Sequence, residues 1–165
     1  SNQGDSAIVN IYAQFFGIKT IFNSNENSIV LEPIENFIYP KKILLDMNNC
    51  PDIAQTLCVT ASVLQIPFEI TGLATLKVKE TDRLLALQNE LIKIGAETEI
   101  TDSSIKTIAF RKAENTISIK TYQDHRMAMS FAPYCIVADL TIEDENVVEK
   151  SYPQFWEDIS ILLNQ

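Results

Sequence analysis

Lys79, Glu80 and Arg83 crowd together directly before the apolar spacing Leu84, Leu87, Leu91 and Ile94, which runs to Gly95. At about 100° per residue the three charged side chains fall on the same side of a helix as that stripe, and Asp82 points away. Lysine and arginine in a first turn oppose the helix dipole, which favours anions there, so the arrangement calls for an anionic partner. A solvated first turn with a Glu80/Arg83 pair at i, i+3 meets the same spacing, and such pairs are weak. Three more stretches place similar residues at helix starts: Asn48-Asn49-Cys50-Pro51-Asp52, Asp124-His125-Arg126 and Lys150-Ser151-Tyr152-Pro153.

Lys79, Arg83, Arg126 and Lys150 are four cations in a chain whose formal net charge is −9. Gathered on one rim, they would hold a small, highly charged anion. Arginine's planar fork suits a carboxylate, while lysine meets phosphate as a point charge, so two of each fits a ligand carrying both groups. Asp52 and Glu80 are then the candidates for proton transfer. A carboxylate set among cations is a weak base unless the reaction builds positive charge or acidifies the proton nearby. His125 is the only histidine. Beside Arg126 it is either a structural hydrogen-bonder or a proton-transfer group. No metal site, nucleophilic triad or glycine-rich phosphate loop is legible, and only four glycines are present.

The elements that must carry these residues alternate along the chain. Asp5 to Phe16 reads as a helix with Ile8, Ile11, Tyr12 and Phe15 on one side, closed by Gly17. Lys19–Phe22 and Ser28–Leu31 flank a turn-rich Asn23–Asn27, which is hairpin grammar, and Pro33 and Pro40 bracket a connection. Ile43–Asp46 is a strand. Pro51 then opens a helix capped by Asn48 or Asn49, with Ile53, Leu57, Ala61 and Leu64 as its buried stripe. Phe68–Gly72 is the next strand and leads into the charged helix start. Thr98–Ile100 and Lys106–Phe110 form a hairpin around Asp102-Ser103, and Ile117–Thr121 is a strand. The helix bearing Met127, Phe131 and Cys135 should break at Pro133, which has no amide donor. Leu140–Ile142 is a strand, and a last helix opens at Lys150 with Ser151 as its cap.

Helix end, hairpin, strand, helix, strand and helix thus occur twice, at an interval of roughly 74 residues. Gly17 corresponds to Gly95, Asp52 to the Asp124–Arg126 stretch, and Lys79 to Lys150. Repeats of this kind bury their faces against one another, which would bring the helix starts to one rim. The expected class is α/β, with a partial copy in residues 1–31 and copies at about 32–110 and 111–165. Asp5–Phe16 corresponds to Asp82–Ile94, so the chain begins inside an earlier copy and further sequence upstream is expected. Ser1-Asn2 reads as a cloning remnant.

A length of 165 residues with 46% hydrophobic and 21% charged residues is a globular balance with material for a real core. The acidic balance argues against nucleic acid or an acidic membrane surface, which basic stripes would meet. Cys50, Cys58 and Cys135 are odd in number, lie in apolar segments and lack CxxC spacing. Buried free thiols in a reducing compartment are therefore expected, not a disulfide or zinc site. No apolar run approaches the roughly 20 residues of a membrane span, and the cytoplasm is the expected location.

Four stretches together resemble the C-terminal motifs of the 3-phosphoshikimate 1-carboxyvinyltransferase (EPSP synthase) family. They are Asn48–Asp52, Val78–Arg83, Thr121–Met129 and Lys150–Pro153, in order and with matching spacing. The resemblance covers nearly everything from Leu45 onward. It implies the C-terminal portion of one lobe of a longer protein, each lobe being built from three βαβαββ copies.

The reaction it implies moves the enolpyruvyl group of phosphoenolpyruvate to the 5-hydroxyl of shikimate 3-phosphate, by addition and then elimination of phosphate. No metal or cofactor takes part. By the same resemblance Asp52 is the proton acceptor near the attacking hydroxyl and contacts shikimate 3-phosphate, and Glu80 exchanges the proton at the enol carbon. Arg83 and Arg126 hold phosphoenolpyruvate, Lys150 meets its phosphate end, and Lys79 bridges both substrates. Thr75 stands where some members carry an asparagine that contacts shikimate 3-phosphate. Most of that substrate's phosphate site lies upstream, so these residues alone are expected to be inactive, and the full-length protein is expected to act as a monomer. Two rival readings meet the same motifs: the sister transferase acting on UDP-N-acetylglucosamine, and a non-catalytic ligand-binding module on the same fold. The Lys-Glu-Thr-Asp-Arg and Asp-His-Arg-Met-Ala-Met pair argues against the first, and both carboxylates beside four cations against the second.

Overall fold

In a computed structural model, which describes residues 4–79 and 81–164, the chain forms three small sheets packed with helices, a mixed α/β architecture. Helical winding opens it, with α1 (Ile8–Ile11) loosening into a π-wound turn, Tyr12–Phe16, that Gly17 ends in the left-handed region at φ 69°. The first hairpin is β1 (Ile18–Asn23) and β2 (Ser28–Pro33), antiparallel in full register. Tyr12 reaches across to α2 (Ala54–Val63), its hydroxyl 2.8 Å from that of Thr60.

The central sheet is built from β3 (Ile43–Asp46), β4 (Phe68–Thr71), β5 (Ala96–Ile100) and β6 (Ile105–Phe110), in the order β3-β4-β6-β5. β3 and β4 run parallel with α2 as their crossover, whereas β6 is antiparallel to both β4 and β5. The helix α3 (Arg83–Leu91) lies between β4 and β5 in the chain. Further on, β7 (Ile117–Ile119) and β8 (Leu140–Ile142) pair in parallel around α4 (His125–Phe131), and α5 (Phe155–Leu163) follows. One main core joins α2, α3, α4 and the central sheet through fully buried Phe68, Ile70, Leu84, Leu87, Leu91, Ile105 and Phe131. A smaller cluster of Ala128, Ala132, Val148 and Phe155 packs α5 onto α4.

Each local departure from the sequence pattern has a physical cause. Neither Asn48 nor Asn49 caps the helix after Pro51: Cys50 holds the cap position without a side-chain capping bond, and Asn48 spends its amide and side chain on the Asp46 carboxylate at 2.9 and 2.8 Å. Leu64 sits at the C-cap of α2 and is exposed. The charged helix does not begin at Lys79. A 3₁₀ turn, Ala74–Val78, ends at an extended Lys79, and α3 starts at Arg83 because Asp82 takes the cap, accepting from the Leu85 amide at 3.1 Å. Ser151 likewise caps nothing. The Val148–Tyr152 turn closes on itself, Tyr152 N to Val148 O at 2.8 Å, and α5 begins only where Phe155 enters the core. Pro133 ends α4 as expected, and Ala132–Ile136 continues as a 3₁₀ turn. Cys135 is consequently half-buried, unlike Cys50 and Cys58; all three are free thiols.

Gly72 governs how β4 leaves the sheet. It stands at φ 78°, and a Cβ there would collide with the Asn48 amide and the Asp46 carboxylate, in the turn that leads to Asp52. Gly72→Ala should therefore cost about 1–3 kcal/mol of folding stability, the usual cost of a residue held in a disfavoured region. Urea unfolding of the full-length protein checks it, and an unchanged midpoint would show that the turn yields freely.

Candidate active site

Arg83 is the first residue of α3 and its side chain is only 3% exposed. A buried guanidinium needs anionic partners, and two carboxylates among the described residues supply them. Its Nε donates to Asp124 Oδ2 at 2.5 Å, and its Nη1 donates to Asp52 Oδ1 at 2.9 Å. Asp124 is completely buried and also caps α4, its Oδ1 accepting from the Arg126 amide at 2.9 Å. The anionic partner that the Arg83 position calls for is thus supplied from within the chain.

Asp52 sits in the 3₁₀ turn Pro51–Ile53 that leads into α2, with its side chain 30% exposed. Three cations converge on it from three different segments. Besides Arg83, Lys79 Nζ lies 3.4 Å from its Oδ1 and Arg126 Nη2 lies 3.8 Å from its Oδ2. Arg126 also donates to the Asp52 backbone carbonyl at 2.9 Å. Lys79 and Arg126 keep about a third of their side chains in solvent, at 34% and 29%. The buried side of the cluster is therefore neutralised internally while its outer side faces water. Ion pairs this exposed contribute little to stability, so the outer cations are available to an incoming anion at small cost.

His125 lines a recess of about 200 Å³ with Thr56, Arg126, Met129, Ser130 and Ser151. Across it the Thr56 and Ser130 hydroxyls meet at 3.1 Å, tying α2 to α4 beside the cations. Lys150 is exposed in the turn ahead of α5, next in the chain to Ser151 on that recess. Thr75 is exposed in the Ala74–Val78 turn. Glu80 lies outside the described residues. Asp52, Lys79, Arg83 and Arg126 are accordingly brought together by ion pairs, and among the described residues none of these pairs includes Lys150.

Two participants escape the sequence reading. Asp124 is legible only as part of a motif, although an aspartate directly before the Met127/Phe131 stripe is N-cap grammar. Glu90 is 1% exposed on the apolar side of α3, and its signal is a charged residue set among Leu87, Leu91 and Ile94. Its carboxylate is met by Lys93 Nζ at 2.6 Å, the Tyr122 hydroxyl at 2.8 Å and the Lys120 amide at 3.1 Å. Burial first, and the bond to Glu90 second, push the Tyr122 phenol above its ordinary range.

The comparisons with known proteins agree with one another. A family described as EPSP synthase (3-phosphoshikimate 1-carboxyvinyltransferase) matches residues 1–159. A 3-phosphoshikimate 1-carboxyvinyltransferase of Bacteroides fragilis is 40% identical over 162 residues, 96% of this chain and 38% of the relative. One from Methanospirillum hungatei is 38% identical over 160 residues, covering 96% and 36%. The chloroplastic protein of that name from Arabidopsis thaliana is 34% identical over 160 residues, covering 95% and 30%. The chain thus spans little more than a third of the length of the first two relatives.

Proposed function

This chain belongs to the EPSP synthase family, and from that premise we propose that it supplies one wall of a site where phosphoenolpyruvate and shikimate 3-phosphate react. In the whole protein the 5-hydroxyl of shikimate 3-phosphate attacks C2 of phosphoenolpyruvate. The adduct then loses phosphate to leave the enolpyruvyl ether. The observation that carries this reading is the single carboxylate of Asp52 held among Lys79, Arg83 and Arg126.

Asp52 takes the hydroxyl proton as the oxygen attacks. It is a partly exposed acceptor at the edge of a cationic patch, so a substrate hydroxyl has access to it. Arg83 and Arg126 orient phosphoenolpyruvate and stabilise the charge that develops on it, Lys150 meets its phosphate end, and Lys79 bridges the two substrates. Glu80 exchanges the proton at the methylene carbon, and Thr75 is the hydroxyl available to shikimate 3-phosphate. Residues 1–31, 32–110 and 111–165 are, in this reading, one partial and two further copies of a βαβαββ unit. The parallel pairing of β3 with β4 across α2, and of β7 with β8 across α4, supports it.

The test is phosphate release from phosphoenolpyruvate by the full-length protein, which should require shikimate 3-phosphate. Arg126→Ala should weaken phosphoenolpyruvate binding by about 1.5–3 kcal/mol, the range for hydrogen bonds to charged groups, because Arg126 keeps partial solvent contact. Steady-state KM reports it. An unchanged KM would return Arg126 to a purely structural bond with the Asp52 carbonyl.

A further inference from the structure

Tyr122 and Gln123 are consecutive residues in the left-handed region, at φ 54° and 58°. The Asp124 amide donates to the Thr121 carbonyl at 2.9 Å, closing a tight turn immediately before α4. Positive φ at both central positions is the demand of a type I′ turn, which asparagine and glycine meet and side chains with a bulky Cβ resist. The local sequence does not favour this turn, so contacts from outside must hold it.

Those contacts converge on Glu90 of α3. Its Oε1 accepts from the Tyr122 hydroxyl at 2.8 Å, and its Oε2 accepts from the amide of Lys120, directly before the turn, at 3.1 Å. Lys93 compensates the buried charge at 2.6 Å and donates to the Ser118 carbonyl of β7 at 2.6 Å, which fixes α3 against the strand feeding the turn. The turn ends at Asp124, whose carboxylate caps α4 at the Arg126 amide and holds the Arg83 guanidinium.

We infer that Glu90 and Tyr122 are positioning residues for the anion site, anchoring the strained turn that places Asp124 and, through it, both Arg83 and Arg126. Among the described residues, neither is hydrogen-bonded to Asp52, Lys79, Arg83 or Arg126. The inference deepens the proposed function and rests on its assignment of those arginines to phosphoenolpyruvate.

The decisive variant in the full-length enzyme is Tyr122→Phe, which keeps the ring and removes only the anchoring hydroxyl. Hydrogen exchange at the Asp124 and Arg126 amides should quicken while α2 and β4 keep their protection. KM for phosphoenolpyruvate should rise by about tenfold, with KM for shikimate 3-phosphate and the melting temperature nearly unchanged. Adding Gln123→Gly should restore part of the loss, because glycine adopts positive φ without an anchor. Unaltered exchange at Asp124 and Arg126, or a rise in both KM values alike, overturns the positioning role. The exchange measurement decides the anchor even if the unmodified enzyme fails to release phosphate, an outcome that would sink the functional reading instead.

Discussion

With Asp52 in its proposed role as proton acceptor, Asp52→Asn in the full-length protein should lower kcat by about 10²–10⁴-fold, the contribution of one general base, and leave KM for phosphoenolpyruvate unchanged or slightly reduced. Asparagine keeps an acceptor oxygen for Arg83, and Asp124 continues to hold that guanidinium from its other edge. The cations therefore stay in place. Removing one negative charge from among Lys79, Arg83 and Arg126 also makes the patch more attractive to an anion. Chemistry and binding are separated by this substitution, and steady-state kinetics with each substrate varied in turn reads them apart. If turnover persists and only affinity changes, Asp52 is an organiser of cations and no base.

The largest effect on stability should come from Arg83→Leu. Asp124 has no solvent exposure, so removing its counter-ion strands a buried carboxylate, which costs about 3–5 kcal/mol. The double variant Arg83→Leu with Asp124→Asn removes the stranded charge as well and keeps an acceptor for the Arg126 amide. It should recover most of the loss. Urea midpoints of the single and double variants make the comparison. Equal loss in both would mean that the guanidinium stabilises by packing and not by charge.

The apolar stripes were the most legible feature of the sequence. Leu84, Leu87, Leu91 and Ile94 are all buried, and every strand expected from alternation or β-branching is present. Helix starts were less legible, because a cap is a competition between neighbours for the same amides. Asp82 wins at α3 and thereby excludes Lys79 from the helix; Asp46 draws Asn48 away from α2. The sequence puts Lys79, Arg83, Arg126 and Lys150 on one rim with Asp52 and Glu80; ion pairs join Asp52 to Lys79, Arg83 and Arg126, and Glu80 lies outside the described residues. An external anion was expected for the cations, whereas Asp124 already serves Arg83. The turn at Tyr122-Gln123 was not legible at all. Its side-chain partner is Glu90, 32 residues away from Tyr122, and no local preference encodes that contact.

The span of the polar cluster also bears on the order in which the molecule assembles. Arg83 meets Asp52 across 31 residues and Asp124 across 41, and Arg126 reaches the Asp52 carbonyl across 74, while the β1/β2 and β5/β6 hairpins close on near neighbours. Loop-closure entropy must be met before distant contacts return anything, so hairpins and helices should form early and the cluster late. Interactions absent from the folding transition state act on escape from the native basin. The Arg83→Leu loss should accordingly appear in the unfolding limb of a chevron, with the refolding limb nearly unmoved. The contacts that make the patch would then also set the lifetime of the folded chain.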